Sequence, residues 1–355
     1  MHVPPPFGLR SAGAKLAPRL RSGLAETTPV STIPSDVAQY VTQWLGPHWN
    51  AHGLKGDASI RSYFRITAAD GRTYMLASYP EEAREQLGRF LTAYETIAPH
   101  APVPEVLQSC EVAVLQRDVG DRSLYDVLHE DRDEGIRLYR EAIDLLVEFQ
   151  KAPERRINRP FSPEFFFREL EMAREFYVEK LQGGDVEPIE PMLKMLCENV
   201  ARHPYVLCHR DFHGQNLHIV NDSIYLIDYQ DMRQGPDTYD MASLLRDRGV
   251  GRILGDDVEL ELLDSYERRR GGLQPGFRQR YFEILLQRSI KIIGTFSKQA
   301  IVRGRMHYLE FIPATLESIG RCLAELPGYA ALRDIFPLAF DPDAALKRAQ
   351  ELNTR

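Results

Sequence analysis

The sequence predicts an α+β fold with two lobes, a small sheet-rich N-lobe followed by a larger helical C-lobe. In the first third of the chain, aromatic and apolar residues cluster or alternate at strand spacing around one long helical segment. From about Arg122 onward, helical patterns dominate and only three short strand-like runs interrupt them. The turn-rich stretch QRDVGD at 116–121 separates the two parts. We therefore expect a flexible tail over 1–35, an N-lobe over 36–118 and a C-lobe over 119–355.

Composition excludes several classes of protein. The chain has 355 residues, 43% of them hydrophobic, which is enough for a sizeable core. The net charge is -7 and no long basic stretch occurs, so we expect no nucleic-acid partner. No run of apolar residues is long enough to span a membrane, and the Pro-, Ser- and Arg-rich start lacks the apolar region of a secretory signal. Four separated cysteines without a CxxC pair fit a reducing cytosol, so we expect a cytoplasmic protein. We also expect a monomer.

The N-lobe pattern reads in order as a helix, a hairpin, a second helix and two more strands. DVAQYVTQWLG at 36–46 predicts a short amphipathic helix. SYFRIT and TYMLASY flank the turn AADGR, which is typical of a β-hairpin. The acidic start and helical spacing of 81–98 predict the long helix. VPEVLQS and VAVLQRDVG predict the last two strands.

The C-lobe pattern predicts eight helical segments and three strands. The helical segments are 122–129, 133–152, 162–182, 188–203, 236–248, 257–270, 276–302 and 306–326. The strands are YVLC (205–208), LHIV (217–220) and IYLID (224–228). Polar residues thus lie on a loop between strands, a placement that favours a functional site.

The stretch CHRDFHGQN at 208–216 has three possible interpretations. Together with His218 of the next strand, Cys208, His209 and His213 are potential zinc ligands. His209 and His213 would share a face only on a helix, however, and Gly214 and the flanking strands disfavour a helix. A Cys–His nucleophile pair is disfavoured because Cys208 ends an apolar strand and is expected to face the core. The third interpretation is a phosphoryl-transfer loop.

The string His209-Arg210-Asp211 followed by Asn216 fits the H-R-D-x-x-x-x-N catalytic loop of kinases. Asp228, at the end of the next hairpin, stands where a kinase keeps a metal-binding aspartate. Asp211 would accept the proton of the substrate hydroxyl. Asn216 and Asp228 would supply hard oxygen ligands to Mg²⁺. Asp or Asn alone would be read as a turn cap, but the three together favour this chemistry.

With these motifs the chain resembles the aminoglycoside phosphotransferase and choline kinase superfamily, whose bilobal fold is protein-kinase-like. Within it, the chain is similar to bacterial anomeric kinases of cell-wall recycling, which phosphorylate N-acetylmuramate and N-acetylglucosamine at C1. The shared stretches are GDASIRSYFR (56–65), LQRDVGDRSL (115–124), LCHRDFHGQNL (207–217) and IDYQDMRQGPDTYDMASLLRD (227–247). The resemblance covers roughly residues 36 to 330 and implies ATP and Mg²⁺ as cofactors.

The nucleotide side departs from the kinase pattern, because strand 73–79 has no lysine for the phosphates. Arg61 and Arg65, on the adjacent hairpin, are the candidate replacement cations; both could equally be solvated surface arginines. The phosphate loop is predicted from small residues whose backbone N–H groups could approach phosphate. Its candidates are Gly56, Asp57, Ala58 and Ser59, with Gln116 and Asp118 in the hinge that would bind adenine.

The acceptor pocket is expected in the helical lobe, near Asp211. Glu171 and Glu175 lie four residues apart on a Phe-rich helix. Carboxylates beside aromatic rings suit the binding of a sugar or of a cation. The other interpretation is a plain core helix whose acidic face is solvated. Arg210 is assigned to the substrate side. His209 and Asp240 are expected to support the loop, with Asp240 hydrogen-bonding to its backbone.

The resemblance implies a sugar kinase that phosphorylates the anomeric hydroxyl of an N-acetylated amino sugar in peptidoglycan recycling. Three alternatives remain at this stage: an aminoglycoside kinase, a choline- or homoserine-type kinase, and an ATP-binding pseudokinase scaffold. An aminoglycoside kinase should have a strongly acidic pocket for its polycation. The pseudokinase hypothesis rests on the missing strand lysine alone.

Overall fold

The computed structural model describes residues 32–54, 60–153, 157–272 and 275–354. Over these ranges a five-stranded antiparallel sheet precedes a mainly helical region, which confirms the predicted α+β architecture of two lobes. Residues 1–31 and 55–59 lie outside the described residues, and with them most of the expected tail and the predicted phosphate loop Gly56–Ser59.

The N-lobe consists of one sheet and two helices. The strands are β1 (Trp49–Leu54), β2 (Ser62–Ala68), β3 (Thr73–Ser78), β4 (Val106–Ser109) and β5 (Ala113–Arg117). Their spatial order is β1-β2-β3-β5-β4. The helices are α1 (Ser35–Leu45) and α2 (Arg84–Ile97).

The predicted hairpin of β2 and β3 is confirmed, and the pattern of the sequence explains its register. Phe64 pairs with Leu76, and both are buried together with Ile66 on one face of the sheet. Alternate strand residues share a face, so this register buries all three at once. Val37 and Val41 of α1 cover that face. The opposite face joins the core of the C-lobe, which ties the two lobes together.

Two strands were not predicted, because neither carries a local strand pattern. β1 is an edge strand whose residues are mostly exposed, so it carries no apolar alternation. β9 (Arg233–Pro236) has the sequence RQGP, and glycine and proline argue against a strand when read locally. Its pairing with β6 (Tyr205–Cys208), Cys208 opposite Arg233, is a long-range contact that local patterns do not show.

The C-lobe is helical around two further strand pairs. Its strands are β6, β7 (Leu217–Val220), β8 (Ser223–Leu226) and β9, with β7 paired to β8. The three predicted strands are therefore confirmed. The helices are α3 (Leu124–Glu130), α4 (Arg132–Phe149), α5 (Pro163–Met172), α6 (Glu190–Val200), α7 (Tyr239–Arg246), α8 (Val250–Leu254), α9 (Asp256–Arg269), α10 (Phe277–Arg303), α11 (Ile312–Glu325), α12 (Leu332–Ile335) and α13 (Pro342–Asn353).

The 27-residue helix α10 runs through the C-lobe core. Where it crosses α5, the chain after Met172 continues as a π-helix over Ala173–Leu181. A Cβ added to Gly294 of α10 would lie 2.2 Å from the backbone nitrogen of Ala173, so glycine is required for this close approach. None of the helices within the described ranges has the length and apolarity needed to cross a membrane.

Replacing Gly294 by alanine tests this crossing. We expect Gly294→Ala to lower the free energy of unfolding by about 1–3 kcal/mol or more, because the new methyl group overlaps a backbone atom of the neighbouring helix. Gly320→Ala in α11 is the matched control: its Cβ meets nothing within 4 Å, so we expect a gain of up to about 1 kcal/mol from helix propensity. Urea unfolding of both variants measures the difference, and equal midpoints would contradict the close crossing.

Candidate active site

A buried carboxylate holds the loop that follows β6. Asp240 of α7 accepts hydrogen bonds from the backbone amides of His209, at 2.7 Å, and of Arg210, at 2.9 Å. This is the contact that the sequence led us to expect for Asp240. Arg210 has a φ of 82°, a left-handed conformation that non-glycine residues rarely adopt. Asp240 therefore stabilises a backbone conformation that the loop would not favour alone.

His209 connects the loop to the hairpin that ends at Asp228. Its ring is fully buried, and Nε2 lies 3.0 Å from the carbonyl oxygen of Ile227. A buried ring nitrogen that donates to a carbonyl fixes the orientation of the imidazole. The two candidate metal-binding segments are thus joined by this side chain, in keeping with its expected supporting role.

Arg288 of α10 completes the support of the loop, and the sequence analysis did not single it out. Its guanidinium donates to the carbonyl oxygen of Arg210 at 2.9 Å, to Ser243 Oγ at 2.9 Å and to Asp247 Oδ2 at 2.7 Å. Only 2% of its side chain is exposed. The available signal was the pair Arg288 and Lys291, two cations three residues apart in a helix that is otherwise mainly apolar and buried.

Asp211 is surrounded by positive charge. Burial by itself would raise the pKa of its carboxyl, but Lys291, Arg210 and Arg288 outweigh that effect and hold the pKa well below its usual range. Asp211 is therefore a carboxylate at neutral pH. A carboxylate in this place can accept a hydrogen bond, and then the proton, from a substrate hydroxyl.

The buried acid of α5 is Glu169, which the sequence analysis did not select. Its Oε1 lies 3.1 Å from Arg210 Nη2 and 3.2 Å from Lys291 Nζ. Burial favours the neutral acid, but the two cations prevail and lower the pKa of Glu169. Glu169 thus orients both cations next to Asp211.

Glu171 and Glu175 lie on the exposed side of the same segment. Glu175 pairs with Lys180 across one turn. Neither is among the described residues that line the cavity beside Asp211. Their predicted role in binding the acceptor stays a prediction, and no contact with this cavity supports it. The face of the segment that packs inward carries Glu169 instead.

Asn216 and Asp228 present oxygen atoms to one cavity. The Asn216 side-chain nitrogen donates to the carbonyl oxygen of Asp211 at 2.8 Å, so the oxygen of the same amide is the atom left for a ligand. Asp228 follows β8 with a φ of 63°, and its Oδ1 accepts a hydrogen bond from Gln230 at 2.7 Å. One amide and one carboxylate oxygen suit Mg²⁺, which takes few protein ligands. Within the described ranges, no three His, Cys, Asp or Glu side chains gather as a zinc site would require.

The cavity that contains Asn216 and Asp228 has a volume of about 310 Å³ and is lined by residues of both lobes. Gln116, predicted for the adenine site, lines it as well, and only 8% of its surface is exposed. The other lining residues are Leu54, Tyr63, Met75, Phe90, Pro104, Arg117, Val119, Gly120, Asp121, His218, Ile227, Tyr229 and Gln230. Apolar walls with a few polar groups are typical of a small-molecule site.

Arg65 is held by two carboxylates of the linker between the lobes. Its guanidinium lies 2.6 Å from Asp118 and 2.7 Å from Asp121. It opposes the effect of burial at Asp118 and keeps the pKa values of both carboxyls low. The contact fixes β2 against the linker. The predicted role of Arg65 at the phosphates stays a prediction, and its charge is already balanced.

Arg61 lies beside the candidate metal ligand Asp228, at 4.0 Å, with 10% of its side chain exposed. Its guanidinium also lies 5.7 Å from the ring centre of Tyr63 and 5.9 Å from that of Tyr79. Arg61 shares a small cavity of about 140 Å³ with Arg89 of α2. Of the two predicted cations, Arg61 is therefore the one that faces the metal-binding segment.

Asp211 lines a separate cavity of about 130 Å³. This cavity is formed by the loop, by the turn between α7 and α8 and by α10. Its lining residues are Asp211, His213, Asp247, Arg248, Arg288, Lys291, Ile292, Thr295 and Phe296. Burial lowers the pKa of His213, so this ring is neutral near pH 7. A larger cavity of about 510 Å³, lined by residues of α6, α9, α10 and α11, contains none of the predicted site residues.

Removing the cation of Arg288 should destabilise the folded protein. We expect Arg288→Met to lower the free energy of unfolding by about 3–5 kcal/mol, because Asp247 is left as a buried charge without its partner. The double variant Arg288→Met, Asp247→Asn should recover part of that loss. The control Arg252→Met removes an exposed ion pair with Glu317 and should change stability by less than about 1 kcal/mol. Denaturant unfolding measures all three, and equal losses in Arg288→Met and Arg252→Met would contradict the buried support.

Comparison with known proteins places this chain in a family. The model of the phosphotransferase enzyme family matches residues 50–281, more than half of the chain. The chain is 26% identical over 303 residues to an N-acetylmuramate/N-acetylglucosamine kinase of Pseudomonas putida, covering 81% of this chain and 88% of the relative. It is 28% identical over 299 residues to a kinase of the same name from Neisseria meningitidis, covering 79% of this chain and 88% of the relative.

Solved structures agree with the fold. The amicoumacin kinase hAmiN, solved with AMP-PNP, Ca²⁺ and Ami, superposes with a TM-score of 0.57 at 13% identity, over 87% of this chain and 96% of that one. The choline kinase LicA from Streptococcus pneumoniae superposes with a TM-score of 0.54 at 12% identity, over 84% of this chain and all of that one. With the loop, the two cavities and the match of the family model, the chain belongs to the phosphotransferase enzyme family.

Proposed function

We propose that this chain is an ATP- and Mg²⁺-dependent kinase that phosphorylates the anomeric hydroxyl of N-acetylmuramate or N-acetylglucosamine during peptidoglycan recycling. The observation that carries this proposal is the ionised Asp211, which lines a small cavity on one side while Asn216 and Asp228 line the cavity between the lobes. The printed names of the relatives support the acceptor. The expected cytoplasmic location and monomeric state stay predictions.

The proposed reaction is an in-line transfer. Asp211 accepts the proton of the acceptor hydroxyl as its oxygen attacks the γ-phosphorus, and the bond from that phosphorus to the bridging oxygen of ADP breaks. Phosphoryl transfer needs positioning and charge stabilisation more than covalent chemistry from the protein. An anomeric hydroxyl is more acidic than an ordinary alcohol, so it demands less of the base.

The metal would be held by the Asn216 amide oxygen and the Asp228 carboxylate, a hard-oxygen set that fits Mg²⁺. When bound, Mg²⁺ neutralises charge on the β- and γ-phosphates. Arg61, at 4.0 Å from Asp228, is the residue that we propose in place of the missing strand lysine. Its guanidinium would bind phosphate oxygens beside the metal.

The alternative acceptors receive less support from the cavity beside Asp211. Its ionisable lining includes two acids and three bases: Asp211, Asp247, Arg248, Arg288 and Lys291. A polycationic aminoglycoside would need an excess of acid there. The pseudokinase alternative has no support beyond the missing lysine, since Arg61 supplies a cation.

The substitution Asp211→Asn tests the proposed base. We expect turnover of N-acetylmuramate and N-acetylglucosamine with ATP and Mg²⁺ to fall roughly 10²- to 10⁴-fold, because the amide cannot accept the proton. Asp222→Asn, in the exposed turn between β7 and β8, is the matched control and should keep wild-type turnover.

A panel with kanamycin, choline and homoserine completes the experiment. If the wild type phosphorylates one of these compounds and neither sugar, that compound replaces the sugars as the proposed acceptor. ATP binding without turnover of any compound would favour the scaffold alternative. A sugar product that is stable to alkali and labile to acid would identify an anomeric phosphate.

Arg61→Gln tests the replacement of the lysine. We expect kcat/KM for ATP to fall roughly 10- to 100-fold, because a charge-assisted contact to phosphate is lost. Arg72→Gln is the control, since Arg72 pairs with Asp70 at the exposed end of the β2–β3 hairpin. Equal kinetics for ATP in the two variants would exclude Arg61 from the phosphate site.

A further inference from the structure

The turn between α7 and α8 places one arginine in the cavity beside Asp211. Arg248 has φ 53° and ψ 32°, and Gly249 after it has φ 82°. Glycine adopts this left-handed region readily, whereas an arginine does so at a cost in free energy. Arg248 nevertheless lines the cavity together with residues of α10. A strained backbone at the wall of a site is a reason to look for a function of that side chain.

The residue before the turn is rigidly anchored. Asp247 accepts hydrogen bonds from Ser243 Oγ at 2.9 Å and from Arg288 at 2.7 Å, and only 9% of Asp247 is exposed. Arg288 also holds the carbonyl oxygen of Arg210, in the loop that carries Asp211. The same guanidinium therefore fixes both the start of the Arg248 turn and the proposed catalytic loop, so Arg248 has a defined position relative to that loop.

Around this cavity the cations outnumber the carboxylates by one. Arg288 is bound to Asp247, and Arg210 and Lys291 both contact Glu169, which is not among the described residues that line the cavity. Over the described part of the chain, Arg248 forms no hydrogen bond or ion pair with a protein group, and it is partly exposed. Asp211 is the remaining charge and is assigned to the reacting hydroxyl. The guanidinium of Arg248 in this cavity is therefore available to bind a part of the acceptor that does not react.

We propose that Arg248 binds a carboxylate of the acceptor, and that it makes this site favour N-acetylmuramate, which carries a lactyl carboxylate, over N-acetylglucosamine, which carries none. This inference rests on the proposed function. A guanidinium matches a carboxylate in charge and in planar geometry and can donate two parallel hydrogen bonds.

Electrostatics gives a reason for such a residue. An acidic sugar must bring its negative charge close to the carboxylate of Asp211 and to the triphosphate, and that repulsion opposes binding unless a cation offsets it. The neutral sugar has no such need. Arg248 lines the cavity beside Asp211 and is not among the described residues that line the nucleotide cavity, so its natural partner is the acceptor and not ATP.

The test compares four substrate and enzyme combinations in the full-length protein. N-acetylmuramate and its lactyl amide, which is neutral and nearly the same shape, are each phosphorylated by the wild type and by Arg248→Gln. With the wild type we expect kcat/KM to be roughly 10- to 100-fold lower for the amide than for the acid. With Arg248→Gln the acid and the amide should become nearly equal, because the two changes remove the same contact.

The ratio of kcat/KM for N-acetylmuramate over N-acetylglucosamine should fall by a similar factor in Arg248→Gln, and Arg248→Lys should retain part of it. Arg252→Gln, four residues on and paired with Glu317 at the surface, is the matched control and should leave the ratio unchanged. Equal losses for both sugars in Arg248→Gln would give Arg248 a structural role and overturn the proposal. A rise in KM for ATP at an unchanged sugar ratio would assign it to the nucleotide and also overturn it.

Two outcomes do not depend on the variant folding. If the wild type phosphorylates the acid and the amide equally well, the carboxylate is not recognised and the proposal is wrong. If the wild type phosphorylates neither N-acetylmuramate nor N-acetylglucosamine, the proposed function itself fails. The two failures are therefore distinguishable in the same assay.

Discussion

The carboxylate of Asp240 and the guanidinium of Arg288 both form hydrogen bonds with the backbone of the loop after β6. Asp240 accepts from the amides of His209 and Arg210, and Arg288 donates to the carbonyl oxygen of Arg210. Charge-assisted hydrogen bonds of this kind are stronger than neutral ones, especially where water is excluded. They hold Arg210 in a left-handed conformation, and the direction of the Asp211 side chain depends on that conformation.

The same arrangement sets the electrostatics of the site. Cations that support the loop also surround Asp211, so the groups that fix its position keep it ionised. Glu169 pairs with both Arg210 and Lys291, and Asp247 pairs with Arg288, so these three cations exceed their two carboxylate partners by one charge. That excess positive charge favours the ionised form of Asp211.

The proposed nucleotide site departs from the kinase pattern in its cation. β3 carries no lysine, and Ala77 is buried within it. The cation next to Asp228 is Arg61 instead, enclosed by two tyrosine rings. Arg65, the other arginine of this hairpin, joins β2 to the linker between the lobes. Two arginines four residues apart thus have different surroundings, one beside the proposed metal ligand Asp228 and one at the linker between the lobes.

The sequence by itself determined the two-lobed α+β fold, the β2–β3 hairpin and the loop with Asp211 and Asn216, because strand alternation and the spacing of the H-R-D-x-x-x-x-N string are local patterns. It also predicted the contact of Asp240 with the backbone of that loop. For the acceptor site the sequence analysis selected Glu171 and Glu175, whereas the structure buries Glu169. The reason is that spacing on a helix does not say which face packs inward. β9, Arg288 and the Arg248 turn were decided by the tertiary structure alone. Their contacts join segments far apart in the chain, and no local pattern records which distant segments meet.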